Sequence, residues 1–160
     1  MEHELNTLSS SIGKALADQS LTVSTAESCT GGLLSHVLTG VSGSSQYFMG
    51  GVVAYSNQIK SKVLGVRNET LLEHGAVSEE TAREMASGIR ERFNTDIGLS
   101  TTGVAGPTGG TPSKPVGLVW IGISTHEATC AFECHFEGSR DEVKVSTVSE
   151  VLTHLLELLN

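Results

Sequence analysis

Apolar side chains at Leu5, Leu8, Ile12 and Ala15 or Leu16 recur every three to four residues, the period of an amphipathic helix laid on a sheet, and the pattern stops before Leu21. Residues 21–26 are short and β-branched, which predicts a strand. Ser28-Cys29-Thr30-Gly31-Gly32 then turns the chain into a helix whose apolar face is Leu33, Leu34, Val37 and Leu38. A second strand is expected over residues 51–55. Ser56-Asn57 reads as the N-cap of a short helix carrying Ile59, Val63 and Leu64, with Gly65 as its stop. Ser78 caps a longer helix. Glu79 and Glu80 lie in its first turn, where the helix dipole favours carboxylates, and Ala82, Met85, Ala86, Ile89 and Phe93 share one face. The third strand is expected over residues 96–102.

Residues 102–115 hold too much Gly and Pro for helix or strand, so they form a loop into a fourth strand at 117–124. A connection without a crossover helix favours an antiparallel neighbour, so the sheet is expected to be mixed. Residues 126–136 alternate, with His126, Ala128, Cys130, Phe132, Cys134 and Phe136 on one face, as in a half-exposed edge strand. Ser139 and Glu142 form a capping box that opens a last helix with Val143, Val148, Val151, Leu152, Leu155 and Leu159 inward. The expectation is an α/β fold in a single domain over residues 1–160. It is a three-layer α/β/α sandwich on a five-stranded mixed sheet with one strand antiparallel.

A formal net charge of −8 over 160 residues disfavours a surface that tracks nucleic-acid phosphates. Three cysteines outside any disulfide framework, an acidic N-terminus without an apolar signal core and no membrane-length apolar run place the protein in the cytoplasm. A homo-oligomer stays open.

Sites in open α/β sheets form beyond the carboxyl ends of strands, where residues 27–32, 55–60 and 102–110 fall. Ser28 sits at a strand-to-helix turn, with Gly31 and Gly32 amides placed to face an oxyanion; alternatively Ser28 and Thr30 only cap the helix. Lys60, in the first turn of its helix, is biased toward the neutral form by the dipole and can take a proton from serine, with Tyr55 relaying or orienting it. The plainer alternative is a solvated lysine and a strand-end tyrosine. The glycine-rich segment 103–110 offers free amides to an anion but lacks both the Walker and the Rossmann pattern. Cys130, Cys134, His126 and His135 have no metal-site spacing and read as buried structural cysteines with stray histidines. Cys29 ranks below Ser28 as a nucleophile because no histidine is near it in sequence.

Taken together, Ala26-Glu27-Ser28-Cys29-Thr30-Gly31-Gly32, Tyr55-Ser56-Asn57, Gly75-Ala76-Val77-Ser78, Thr102-Gly103-Val104-Ala105-Gly106-Pro107 and Lys114-Pro115-Val116-Gly117-Leu118-Val119 closely resemble the CinA C-terminal domain family, the nicotinamide-nucleotide amidohydrolases. The resemblance runs from about Leu5 to Leu156. It implies hydrolysis of the carboxamide of nicotinamide mononucleotide to nicotinate mononucleotide and ammonia, a salvage step, with no metal or organic cofactor. By the match Ser28 is the nucleophile and Lys60 the base, with Tyr55 beside them. Substrate contacts would come from Cys29, Thr30, Gly31 and Gly32 in the first turn, from Asn57, and from Thr102, Gly103, Ala105 and Gly106 in the loop. Arg140 would complete them from the last helix. Relatives often carry R-x-x-[VI]-R at that helix, where this chain has Arg140 and Lys144, a point charge in place of a planar fork. Two rival readings remain: a non-catalytic nucleotide-binding or regulatory module, and an amidase for another small carboxamide.

Overall fold

The computed structural model describes residues 2–160. Five strands, β1 (Val23–Glu27), β2 (Phe48–Val53), β3 (Ile97–Gly103), β4 (Leu118–Ser124) and β5 (Thr129–His135), form one sheet in the order β2-β1-β3-β4-β5. β1 pairs in parallel with β2 and β3, and β4 pairs antiparallel with β3 and β5, so β4 alone runs against the rest. The helices are α1 (Glu2–Asp18), α2 (Leu33–Thr39), α3 (Asn57–Leu64), α4 (Asn68–His74), α5 (Glu79–Phe93) and α6 (Arg140–Leu159). This is the expected mixed α/β sandwich.

The larger core lies on one face of the sheet. Ile12 and Leu16 of α1, Leu34 and Leu38 of α2, and Val148, Leu152 and Leu155 of α6 pack there against Val23, Leu99, Val119 and Ile121. On the other face Met85 and Ile89 of α5 meet Ala26, Ala54, Leu64 and Val66. Small residues let α5 come close: a Cβ on Gly98 would strike the Ala86 carbonyl, one on Gly122 the Ala82 carbonyl, and Ser100 Oγ donates to that same carbonyl at 2.7 Å. Ser78 caps α5 and Ser139 with Glu142 closes the capping box of α6, as the sequence pattern requires.

Three expectations need correction. β2 starts at Phe48 rather than 51 and ends before Tyr55. Gly50 and Gly51 lie inside it because a Cβ on Gly51 would collide with Thr25 Oγ1 and approach Ser35 Oγ to 2.8 Å, so this glycine marks close packing and not a strand boundary. α4 was not anticipated: its inward residues are only Thr70 and half-buried Leu71, and it is tied down by polar bonds from Thr70 Oγ1 and the Arg67 amide to the Glu84 carboxylate. Cys130 is exposed and Cys134 half-buried, since β5 is an edge strand whose two faces are both partly open. No helix among the described residues is long and apolar enough to cross a membrane.

Candidate active site

The chain leaves β1 for α2 and then returns to β2, whereas β3 lies on the other side of β1. The crevice between the ends of β1 and β3 is therefore the topological switch point, where open sheets bind ligands. A pocket of about 410 Å³ opens there. Its walls bring together Ser28 and Cys29 from the end of β1, Tyr55, Asn57 and Lys60 from the start of α3, Thr102 to Gly106 from the end of β3, and Arg140 from α6. Ala76, Val77, Thr108 and Gly109 complete it; Thr108 and Gly109 belong to the glycine-rich segment 103–110 expected to face an anion, whereas Ala76 and Val77 carry no role read from sequence. A second depression of about 500 Å³ lies along α3 and α5 beside the Arg67–Glu84 ion pair, but its one hydroxyl, Ser87, donates to the Glu84 carbonyl at 3.4 Å and no lysine or histidine lines it.

Ser28 is held on both sides of its backbone. Its amide donates to the Thr101 carbonyl at 2.9 Å, and its own carbonyl accepts from the Gly31 amide at 3.1 Å. Lys60 is 1% exposed, and its Nζ lies 3.0 Å from Ser28 Oγ and 3.1 Å from the Tyr55 carbonyl. Both partners are neutral. Burial holds its pKa below the ordinary lysine value, so the neutral amine that can accept the serine proton is brought nearer. The same burial has the opposite effect on Cys29: it pushes the thiol up to about 12, keeping it protonated beside Ser28.

Several predicted roles are redistributed. Tyr55 is 61% exposed and its hydroxyl accepts from Arg140 Nη2 at 2.9 Å, so it is the Tyr55 main-chain carbonyl, not the phenol, that orients Lys60. Arg140 Nη1 donates to the Gly106 carbonyl at 2.8 Å, tying α6 to the loop. Burial is what lowers the Lys60 pKa. Thr102 lines the pocket with its hydroxyl committed to the Ala76 carbonyl at 2.7 Å.

Thr30, Gly31 and Gly32 do not reach the pocket. The Gly31 amide is taken by Ser28, and the Gly32 amide donates to the Glu27 carboxylate at 3.1 Å. Glu27, fully buried, also accepts from Thr30 Oγ1, Leu34 N, Ser35 N and Ser35 Oγ at 2.6–3.0 Å. The N-terminus of α2 is thus closed by a protein carboxylate and does not face an oxyanion. Among the described residues the amides of Cys29, Ala105 and Gly106, all on pocket residues, take no backbone acceptor. Lys144 lies outside the pocket wall, near Gly31: a Cβ there would be 3.7 Å from its Nζ.

The model of the CinA C-terminal domain family matches residues 5–159. The chain belongs to the CinA C-terminal domain family. A putative competence-damage inducible protein of Thermoanaerobacter pseudethanolicus is 52% identical over 139 residues, 87% of this chain and 34% of its own length. A CinA-like protein of Salinibacter ruber is 59% identical over 118 residues, 74% of this chain and 29% of its own. The CinA domain here therefore spans about a third of the length of these curated relatives. Among solved structures, the competence/damage inducible protein CihA of Agrobacterium tumefaciens superposes with a TM-score of 0.96 at 38% identity, covering 98% of this chain and 96% of the other. A competence damage-inducible protein A of Klebsiella pneumoniae gives 0.94 at 36% identity, covering 97% and 96%.

Proposed function

We propose that the chain is an amidohydrolase that converts nicotinamide mononucleotide to nicotinate mononucleotide and ammonia by a serine–lysine mechanism. The observation that carries the reading is Ser28 Oγ at 3.0 Å from a buried Lys60 Nζ, on the floor of a pocket at the sheet's switch point. Neutral Lys60 takes the Ser28 proton as Oγ bonds to the carboxamide carbon. The carbonyl oxygen becomes an oxyanion, for which the Cys29 amide, directly after the nucleophile, and the Ala105 and Gly106 amides are available donors. Lys60 then returns its proton to the amide nitrogen as the C–N bond breaks and ammonia leaves. A water, deprotonated by Lys60, attacks the resulting nicotinoyl ester and regenerates Ser28. Arg140, whose guanidinium keeps donors beyond the two already used, supplies a cation at the pocket mouth for an anionic substrate in a chain of net charge −8.

Incubation of the purified chain with nicotinamide mononucleotide, with ammonia and nicotinate mononucleotide assayed together, tests the reading. Both products should appear in equal amounts. Ser28→Ala should lower kcat by roughly four to six orders of magnitude, as removal of a nucleophile does. Binding of the nucleotide without release of ammonia would instead identify a non-catalytic binding module, and release of ammonia only from other carboxamides would move the substrate assignment.

A further inference from the structure

We propose that Glu27 is a positioning residue whose buried carboxylate sets the turn that aims Ser28 at Lys60. The proposal rests on the serine–lysine reading above. Glu27 is the last residue of β1, immediately before Ser28, and is completely withdrawn from solvent. A carboxylate in that position costs several kcal/mol, on the order of what an unpaired buried ion costs, unless donors surround it. Here five do: Thr30 Oγ1, Gly32 N and Leu34 N on one oxygen, Ser35 N and Ser35 Oγ on the other. None of the five is a lysine, arginine or histidine.

A serine or aspartate at the cap position would satisfy a seven-residue helix from its surface. A glutamate at the strand end does something different: it reaches over residues 28–32 and ties the strand to the first turn of α2. Gly31 and Gly32, at φ 60° and 102°, supply the left-handed backbone that brings the amides round to it.

The carboxylate also orders the hydroxyls beyond it. Thr30 spends its one proton on Glu27, so in the 2.7 Å contact between Thr30 Oγ1 and Thr101 Oγ1 the donor must be Thr101. By the same count Thr25 donates to Ser35 at 2.8 Å. Thr101 is the residue whose carbonyl holds the Ser28 amide. Glu27 therefore controls both anchors of Ser28: the Gly31 amide within the turn and the neighbouring strand β3.

The test uses the full chain and a small fluorophosphonate, which labels a lysine-activated serine whatever the natural substrate. Ser28 labelling is followed by peptide mass spectrometry and scaled to the folded fraction from circular dichroism. Glu27→Gln keeps the shape but points an amide NH₂ at protein donors. The folded variant should melt lower and label at Ser28 about 100-fold more slowly, the loss expected for a misplacement near 1 Å, and its labelling should lose the pH dependence conferred by Lys60. Where Glu27→Gln does not fold, Thr30→Val decides. It removes one donor and the link to Thr101, and should slow labelling about 10-fold. Wild type labelled at Ser28, with the folded variant labelled at the same rate and with the same pH profile, overturns the positioning role alone. Wild type not labelled at Ser28 overturns the serine–lysine reading itself.

Discussion

A lysine buried to 1% exposure against two neutral oxygens is held in the folded state at the expense of its charged form. Its pKa is lowered, so between the folded value and the ordinary 10.5 the unfolded chain binds a proton that the native chain does not. Stability therefore rises with pH across that window, and this contribution is lost as pH falls through the folded value. Activity should follow the same titration, rising as Lys60 loses its proton. Lys60→Met should abolish ammonia release yet leave the Tm near neutral pH at or above wild type, because it removes a desolvated charge; a clear fall in Tm would show the ammonium to be a net stabiliser. Lys60→Arg should be nearly inactive, since a guanidinium does not deprotonate. Near-normal kcat in that variant would leave Lys60 as a positive charge only. That Ser28 and Lys60 belong to one pocket was legible from residue types at a strand end and a helix start, but the near-total burial of Lys60 was not. It depends on the fold bringing Ser28, 32 residues away along the chain, against the amine. Glu27 was invisible for a similar reason: a glutamate inside a motif reads as solvated until the donors from 30 to 35 are seen to converge on it.

α3 delivers Lys60, and α3 is placed by α5. A Cβ on Gly88 of α5 would overlap the Leu64 carbonyl at the C-terminal end of α3, so the two helices touch backbone to backbone. Gly88→Ala must push them apart. It should lower stability by about 1–3 kcal/mol, the range for overpacking, and on the serine–lysine account also reduce kcat of the folded chain more than it changes KM, because Lys60 moves with α3 while the walls from β1, β3 and α6 stay. Thermal melts beside steady-state kinetics check this, and unchanged kcat would mean that α3 is positioned by its N-terminal contacts instead. Helices with a full apolar stripe, α1, α5 and α6, the last two also with a capping serine, could be read from sequence because the local signal and the tertiary packing agree. α4 could not, since a two-turn helix with Leu72 exposed carries no stripe and is held by Glu84. β2 was displaced because Gly50-Gly51 resembles a turn, and only the nearness of Thr25 and Ser35 explains why glycine is needed within the strand.

Across the whole molecule, strand order does what no single element can: with β1 between β2 and β3, the turn after β1, the start of α3 and the end of β3 meet at one crevice. The sequence indicated a mixed sheet through the missing crossover helix between β3 and β4, and the three unusual segments at strand ends pointed to the crevice. It did not indicate which amides stay free, because that depends on Glu27 occupying those of α2. On the serine–lysine account Ser28 and Lys60 between them supply nucleophile and base, so exhaustive dialysis against a chelator should leave ammonia release unchanged; a loss restored by a divalent cation would require a different base. The most direct measurement is acid quenching of the purified chain during incubation with nicotinamide mononucleotide, followed by mass spectrometry of the peptide that carries Ser28 and Cys29. The serine–lysine account predicts a nicotinoyl mononucleotide ester on Ser28, absent in Ser28→Ala and retained in Cys29→Ala. An adduct on Cys29, or undiminished turnover in Ser28→Ala, would contradict it.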